Sequence, residues 1–139
     1  MSVQDQPQKL GQPVSLSLTS VRIGSGQPAV LAEFYEKFFG RPADYENGPF
    51  HLWLGRGCQF RVSDHSELNG PNQEPGRILL NFDTPAVKEE FERLKALGVT
   101  IIKEPYSFAG GWIATLADPD GNMVQLQSPQ EIPSTRLDQ

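Results

Sequence analysis

Arg22 and Arg61 stand alone among apolar residues in two strand-like runs, and they are the side chains best suited to hold a ligand. A guanidinium keeps its charge at any physiological pH and offers a planar fork of N–H donors, which fits a carboxylate, a phosphonate or a similar planar anion. Successive side chains of a strand point to opposite faces, so Val21, Ile23, Phe60, Val62, Val124 and Leu126 are expected to turn one way, onto a core. Ser20, Arg22, Arg61, Asn81, Met123 and Gln125 then turn the other way and line a candidate ligand cavity, joined by His51 and Trp53 from a neighbouring run. The plain alternative for the two arginines is solvation, or pairing with Asp83 or Glu46, because isolated strand arginines usually face water.

The remaining reactive residue types say less. His51 reads either as an ordinary strand residue or as a cavity-lining acid–base group, while His65 lies in the polar stretch Ser63-Asp64-His65-Ser66-Glu67, expected to be a surface loop. Trp53 and Trp112 suit a core, yet either could stack on a flat ligand in a cleft. Cys58 reads as an inert strand residue, and the glycines around Gly24 and Gly110 are too sparse for a phosphate-cradling loop.

The elements that must position these residues come in two copies. Pro28-Ala29-Val30, Glu33-Phe34 and Gly40 recur as Pro85-Ala86-Val87, Glu90-Phe91 and Gly98, offset by 57 residues except for the glycine, at 58. Duplication of one helix-containing module explains this. In the first copy Val14–Ile23 reads as a strand, Pro28 starts a helix stopped by Gly40, and Ala43–Glu46, Phe50–Leu54 and Cys58–Val62 read as short strands. In the second, Arg77–Asp83 reads as a strand and a helix runs from Pro85 to Gly98. Val99–Lys103, Trp112–Ala117 and Met123–Gln127 follow as strands, the last two joined by the turn Asp118-Pro119-Asp120-Gly121-Asn122. The expected organisation is a tail over residues 1–13, one domain over 14–128 (modules 14–68 and 77–128, linker 69–76) and a second tail over 129–139.

Composition narrows the function. A chain of 139 residues with 37% hydrophobic content supports one core, and a net charge of −5 without a Lys/Arg cluster argues against a nucleic-acid partner. The single cysteine rules out an intrachain disulfide framework. The Gln- and Pro-rich start has neither the basic end nor the apolar run of a signal peptide, and no stretch is long and apolar enough for a membrane span. A cytoplasmic protein without a membrane partner is expected.

The strand-helix-strand-strand-strand module, with Phe34-Tyr35-Glu36-Lys37-Phe38-Phe39-Gly40, the Arg93–Gly98 helix end and Ala117-Asp118-Pro119-Asp120-Gly121-Asn122, resembles the vicinal oxygen chelate superfamily over residues 14 to 128. That superfamily includes glyoxalases, extradiol dioxygenases and bleomycin-resistance proteins. The resemblance implies an α+β fold of two βαβββ modules related by a pseudo-twofold axis, forming an incomplete barrel around a cavity with helices outside, and a homodimer. Metal-dependent members hold a divalent ion with His, Glu or Gln from the first and last strand of each module. Counted from Phe34-Tyr35 and Arg93-Leu94, those positions fall on Ser20, Arg61, Leu79 and Gln125, of which only Gln125 is a ligand type. Leu79 offers no donor and Arg61 brings a positive charge. The expectation is a member without metal or other cofactor that binds a small organic molecule, with an anion suggested by the arginines. The alternative is a lyase, isomerase or dioxygenase dependent on a divalent metal ion, its ligands lying elsewhere. A bleomycin-like cationic drug would call for an acidic groove, and Arg22 and Arg61 count against it.

Overall fold

Alternating apolar residues, two proline-marked helix starts and glycine stops produce a duplicated βαβββ arrangement in a computed structural model that describes residues 16–130. The first module comprises β1 (Ser20–Ser25), α1 (Pro28–Phe39), β2 (Tyr45–Asn47), β3 (Phe50–Leu54) and β4 (Gln59–Asp64). The second comprises β5 (Leu79–Asp83), α2 (Val87–Ala96), β6 (Thr100–Phe108), β7 (Gly111–Ala117) and β8 (Met123–Gln127). Their sheets have the same strand order, β1-β4-β3-β2 and β5-β8-β7-β6, with a parallel first pair and antiparallel others. The expected α+β fold of two modules in an open, unclosed barrel arrangement is therefore present. The expected tail over residues 1–13, and all but the first two residues of that over 129–139, lie outside the described residues.

The helices obey the local signals, with one displacement. Pro28 supplies the first turn of α1, and Gly40 ends it at φ 75°, its N–H donating to the Glu36 carbonyl at 2.9 Å. The second helix starts at Val87, two residues beyond the expected Pro85, because the Thr84 hydroxyl accepts the Ala86 N–H at 3.1 Å and holds the intervening residues in a turn. Leu31, Tyr35 and Phe38 of α1 and Val87, Phe91 and Leu94 of α2 are buried at matching positions with an offset of 56 residues, and Ala32 is a further buried residue of α1 without a buried counterpart. The sequence repeat, at 57, therefore superposes Phe34 on Phe91, whereas burial superposes Tyr35 on it.

Several strands also depart from expectation, β2 spanning Tyr45–Asn47 instead of Ala43–Glu46 and β4 Gln59–Asp64 instead of Cys58–Val62. Strand β1 begins only at Ser20, where pairing with β4 starts, and Leu16 and Leu18 before it are 85% and 75% exposed. Strand β5 begins at Leu79, since residues 75–77 form a short 3₁₀ turn. Strand β6 runs on to Phe108 instead of stopping at Lys103, with register irregularities between Ile101 and Tyr106 that accommodate Pro105.

One core serves both modules. Phe38 and Phe39 of α1 lie with their ring centroids 4.8 and 5.6 Å from Phe82 of β5, and Phe39 is 5.4 Å from Phe60 of β4. Aromatic pairs of this kind add about 0.5–1.5 kcal/mol each beyond the burial of their area. Across the same junction Arg93 of α2 donates to the carbonyls of Lys37 and Phe38 at 2.8 and 2.7 Å, satisfying the C-terminal end of α1. The Tyr35 hydroxyl donates to Asp118 Oδ2 at 2.6 Å, tying α1 to the turn between β7 and β8. Among the described residues no helix is long and apolar enough to cross a membrane.

Candidate functional site

Cross-strand register decides which side chains share a face. In the first sheet Ser20 pairs with Gln59, Arg22 with Arg61, and Leu52 of β3 with Arg61, so these residues occupy the face away from the helices. Val21 pairs with Phe60 and Ile23 with Val62 on the helix-packed face, where Phe60 and Val62 are buried. In the second sheet Asn81 pairs with Gln125, and Gln125 with Thr115, again on the face away from the helix. Five of the eight candidate residues, Ser20, Arg22, Arg61, Asn81 and Gln125, thus lie on the helix-free face of their sheet.

The other three lie on the opposite side. His51 pairs with Val62 and Trp53 with Phe60, which turns both toward α1 and away from Arg61. Trp53 is 3% exposed and its indole N–H donates to the Arg41 carbonyl at 3.1 Å. The two rings stack at 6.1 Å and line a crevice of about 200 Å³ with Glu33, Glu36 and Glu46, where His51 Nε2 lies 3.6 Å from Glu46 Oε2. Trp112 likewise faces its helix, with the Lys88 ammonium of α2 3.6 Å from its ring centroid. His65 is exposed and sits in a loop, where its Nδ1 accepts the Glu67 N–H at 3.2 Å.

The two arginines differ in how they are held. Arg61 is half-buried, and its Nε and Nη2 both donate to Gln59 Oε1, at 3.1 and 2.6 Å. Neither pairs with Asp83 or Glu46: Asp83 accepts from Gln127 at 2.9 Å and Glu46 faces His51. Arg22 is exposed, and among the described residues it has no ion-pair or hydrogen-bond partner. In the second sheet Gln125 Nε2 donates to the buried Thr115 hydroxyl at 3.0 Å, which fixes the amide and leaves its carbonyl oxygen as acceptor. Lys103 and Tyr106 of β6 pair with Thr115 and Ile113, so they share this face, and the ammonium lies 4.8 Å from the tyrosine ring centroid.

Gln59, Thr115, Lys103 and Tyr106 were not foreseen from sequence. Gln59 had a legible signal, since it lies two residues before Arg61 in the same strand and period-two alternation puts both on one face. Tyr106 had none, because Glu104-Pro105 reads as the end of a strand.

The four positions counted from the sequence do not form the ligand set of the metal-dependent members. Of the positions Ser20, Arg61, Leu79 and Gln125, one is aliphatic and one is a cation already fixed by a neighbour. No group of three or more His, Cys, Asp or Glu residues among those described could hold a metal ion.

Comparison with known proteins places this geometry. A glyoxalase-like domain family matches residues 20–127. The fold is similar to that of a glyoxalase-related enzyme from Fulvimarina pelagi (TM-score 0.66, 20% identity, covering 81% of this chain and 88% of that one). It is equally similar to a glyoxalase/bleomycin resistance protein from Albidiferax ferrireducens T118 (0.66, 20%, 81% and 98%). A lactoylglutathione lyase from Agrobacterium tumefaciens shares it less closely (0.62, 16%, 84% and 96%). No curated protein matches the chain. At such identities structural likeness shows the fold alone, and fold does not fix chemistry. On the strength of the family match over all eight strands and both helices, the chain belongs to the glyoxalase-like domain family of the vicinal oxygen chelate superfamily.

Proposed function

We propose that the protein binds a small organic anion on the helix-free face of its first sheet, without a metal ion. The observation that carries this reading is the pair Arg22 and Arg61, which stand at the same register on adjacent parallel strands with no carboxylate partner among the described residues. Adjacent strands are about 4.8 Å apart, so one ligand can engage both guanidiniums. Leu52 on β3 and Ser20 on β1 supply an apolar wall and a hydroxyl on the same face. Asn81 and Gln125 belong to the corresponding face of the second module.

The reading includes a cytoplasmic homodimer. Leu54, Leu79, Tyr106 and Phe108 are 56%, 41%, 38% and 41% exposed in the single chain, and a second copy is the natural cover for them. Titration of the purified protein with small carboxylates and phosphonates tests the anion site. Saturable binding that weakens in Arg61→Ala is expected. No saturable binding, or unchanged binding in Arg61→Ala, refutes it. Elemental analysis of protein purified without chelator separates this reading from a metal-dependent enzyme, which would carry a stoichiometric transition metal.

A further inference from the structure

We infer that Gln59 is a positioning residue that sets how the anion docks, so that Arg61 supplies a fixed positive charge. The inference rests on the anion reading above. Both hydrogen bonds to Gln59 Oε1 come from one edge of the Arg61 guanidinium, the edge formed by Nε and Nη2. A guanidinium has five N–H groups, so after these two are engaged the remaining fork is the end-on pair of Nη1 and Nη2. A planar carboxylate can meet that fork with two parallel hydrogen bonds, whereas the side edge is closed to it. Gln59 is itself half-buried and Cα-paired with Ser20, so the amide that orients Arg61 is held on the same face.

Arg22 complements this arrangement. It stands beside Arg61 at the same register, is exposed, and has no partner among the described residues to orient it. One guanidinium is therefore fixed and one is free to adapt. The ligand class this selects is a planar monocarboxylate whose two oxygens take the Arg61 fork, with Arg22 closing over it. A tetrahedral phosphonate gains from both charges and less from the planar fork.

The test is calorimetric titration of the wild type and the Gln59→Leu, Gln59→Glu and Arg61→Lys variants with benzoate and phenylphosphonate at low and high salt. Gln59→Leu leaves both arginines charged but unfixes Arg61, which must then be ordered by the ligand. Benzoate affinity should fall about 3- to 10-fold, with phenylphosphonate affected less, so that the preference for the carboxylate narrows. Gln59→Glu keeps an acceptor in place but neutralises Arg61, so both ligands should weaken and the salt dependence of Kd should flatten. Arg61→Lys keeps the charge without the fork and should lose the preference for benzoate. Circular dichroism of each variant separates these effects from unfolding. Wild-type affinity and preference in folded Gln59→Leu would overturn the positioning role while leaving the anion site standing. Absence of saturable binding by the wild type would overturn both.

Discussion

Replacing Tyr35 with phenylalanine removes one oxygen from the most enclosed polar contact in the fold, and the expected loss can be worked out atom by atom. Tyr35 is 0% exposed and Asp118 4% exposed, and the hydroxyl donates to Asp118 Oδ2 at 2.6 Å. The carboxylate accepts three other hydrogen bonds: the Asp120 and Asn122 N–H groups reach Oδ1 at 2.9 and 3.0 Å, and Asn122 Nδ2 reaches Oδ2 at 2.9 Å. Each oxygen therefore keeps a donor in Tyr35→Phe, and the penalty of an uncompensated buried charge is avoided. What remains is the loss of one hydrogen bond to a charged group, about 1.5–3 kcal/mol. Urea denaturation followed by tryptophan fluorescence should show a lower midpoint with an unchanged slope. A loss below about 0.5 kcal/mol would refute the claim that this contact fastens the two modules.

The same substitution changes the alkaline limb of the stability profile. Burial, followed by the charge of Asp118 and the hydrogen bond to it, pushes the Tyr35 phenol well above its ordinary value. A group whose pKa is raised on folding contributes stability that is intact below the unfolded value, about 10 for tyrosine, and is lost as pH rises through the folded value. Wild-type protein should therefore lose stability above about pH 10 more steeply than Tyr35→Phe.

Two further perturbations probe the scaffold. Arg93→Met keeps an apolar stem but removes both donors to the end of α1, and denaturation should report a loss of about 1–3 kcal/mol, while Lys88→Met, on the same helix and away from that junction, should cost less. Gly26→Ala and Gly76→Ala form a matched pair: a Cβ at Gly26 would lie 2.4 Å from the Leu68 carbonyl oxygen, whereas at Gly76 it would meet nothing within 4 Å. The first should cost about 1–3 kcal/mol in thermal or chemical unfolding and the second should stay within about 0.5.

Much of the fold was legible because its local signals agree with its packing. Val21, Phe60, Val62, Val124 and Leu126 announce one face by alternation, and the register places Arg22, Arg61 and Gln125 on the other. The candidate site was legible only in part, since alternation decides little where both parities of a strand carry large apolar or aromatic residues. Strand β3 reads Phe50-His51-Leu52-Trp53-Leu54, and nothing in that run says which parity faces the helix. Pairing of Trp53 with Phe60 settles it, and that is a tertiary fact. The helix repeat misled for a related reason. The matched letters sit 57 residues apart, yet the turn held by Thr84 and the different helix lengths bring residues 56 apart to equivalent depth.

The ring cluster of Phe38, Phe39, Phe60 and Phe82 has an implication for how such a chain can diversify. Cohesion between the halves is concentrated on the helical side, and the residues that would meet a small molecule project from the reverse side of each sheet. Recognition on the proposed face and folding would thereby draw on almost separate sets of positions. On the proposed reading, substitutions at Ser20, Arg22, Leu52 or Asn81 would retune selectivity while the aromatic junction that keeps the halves together goes untouched.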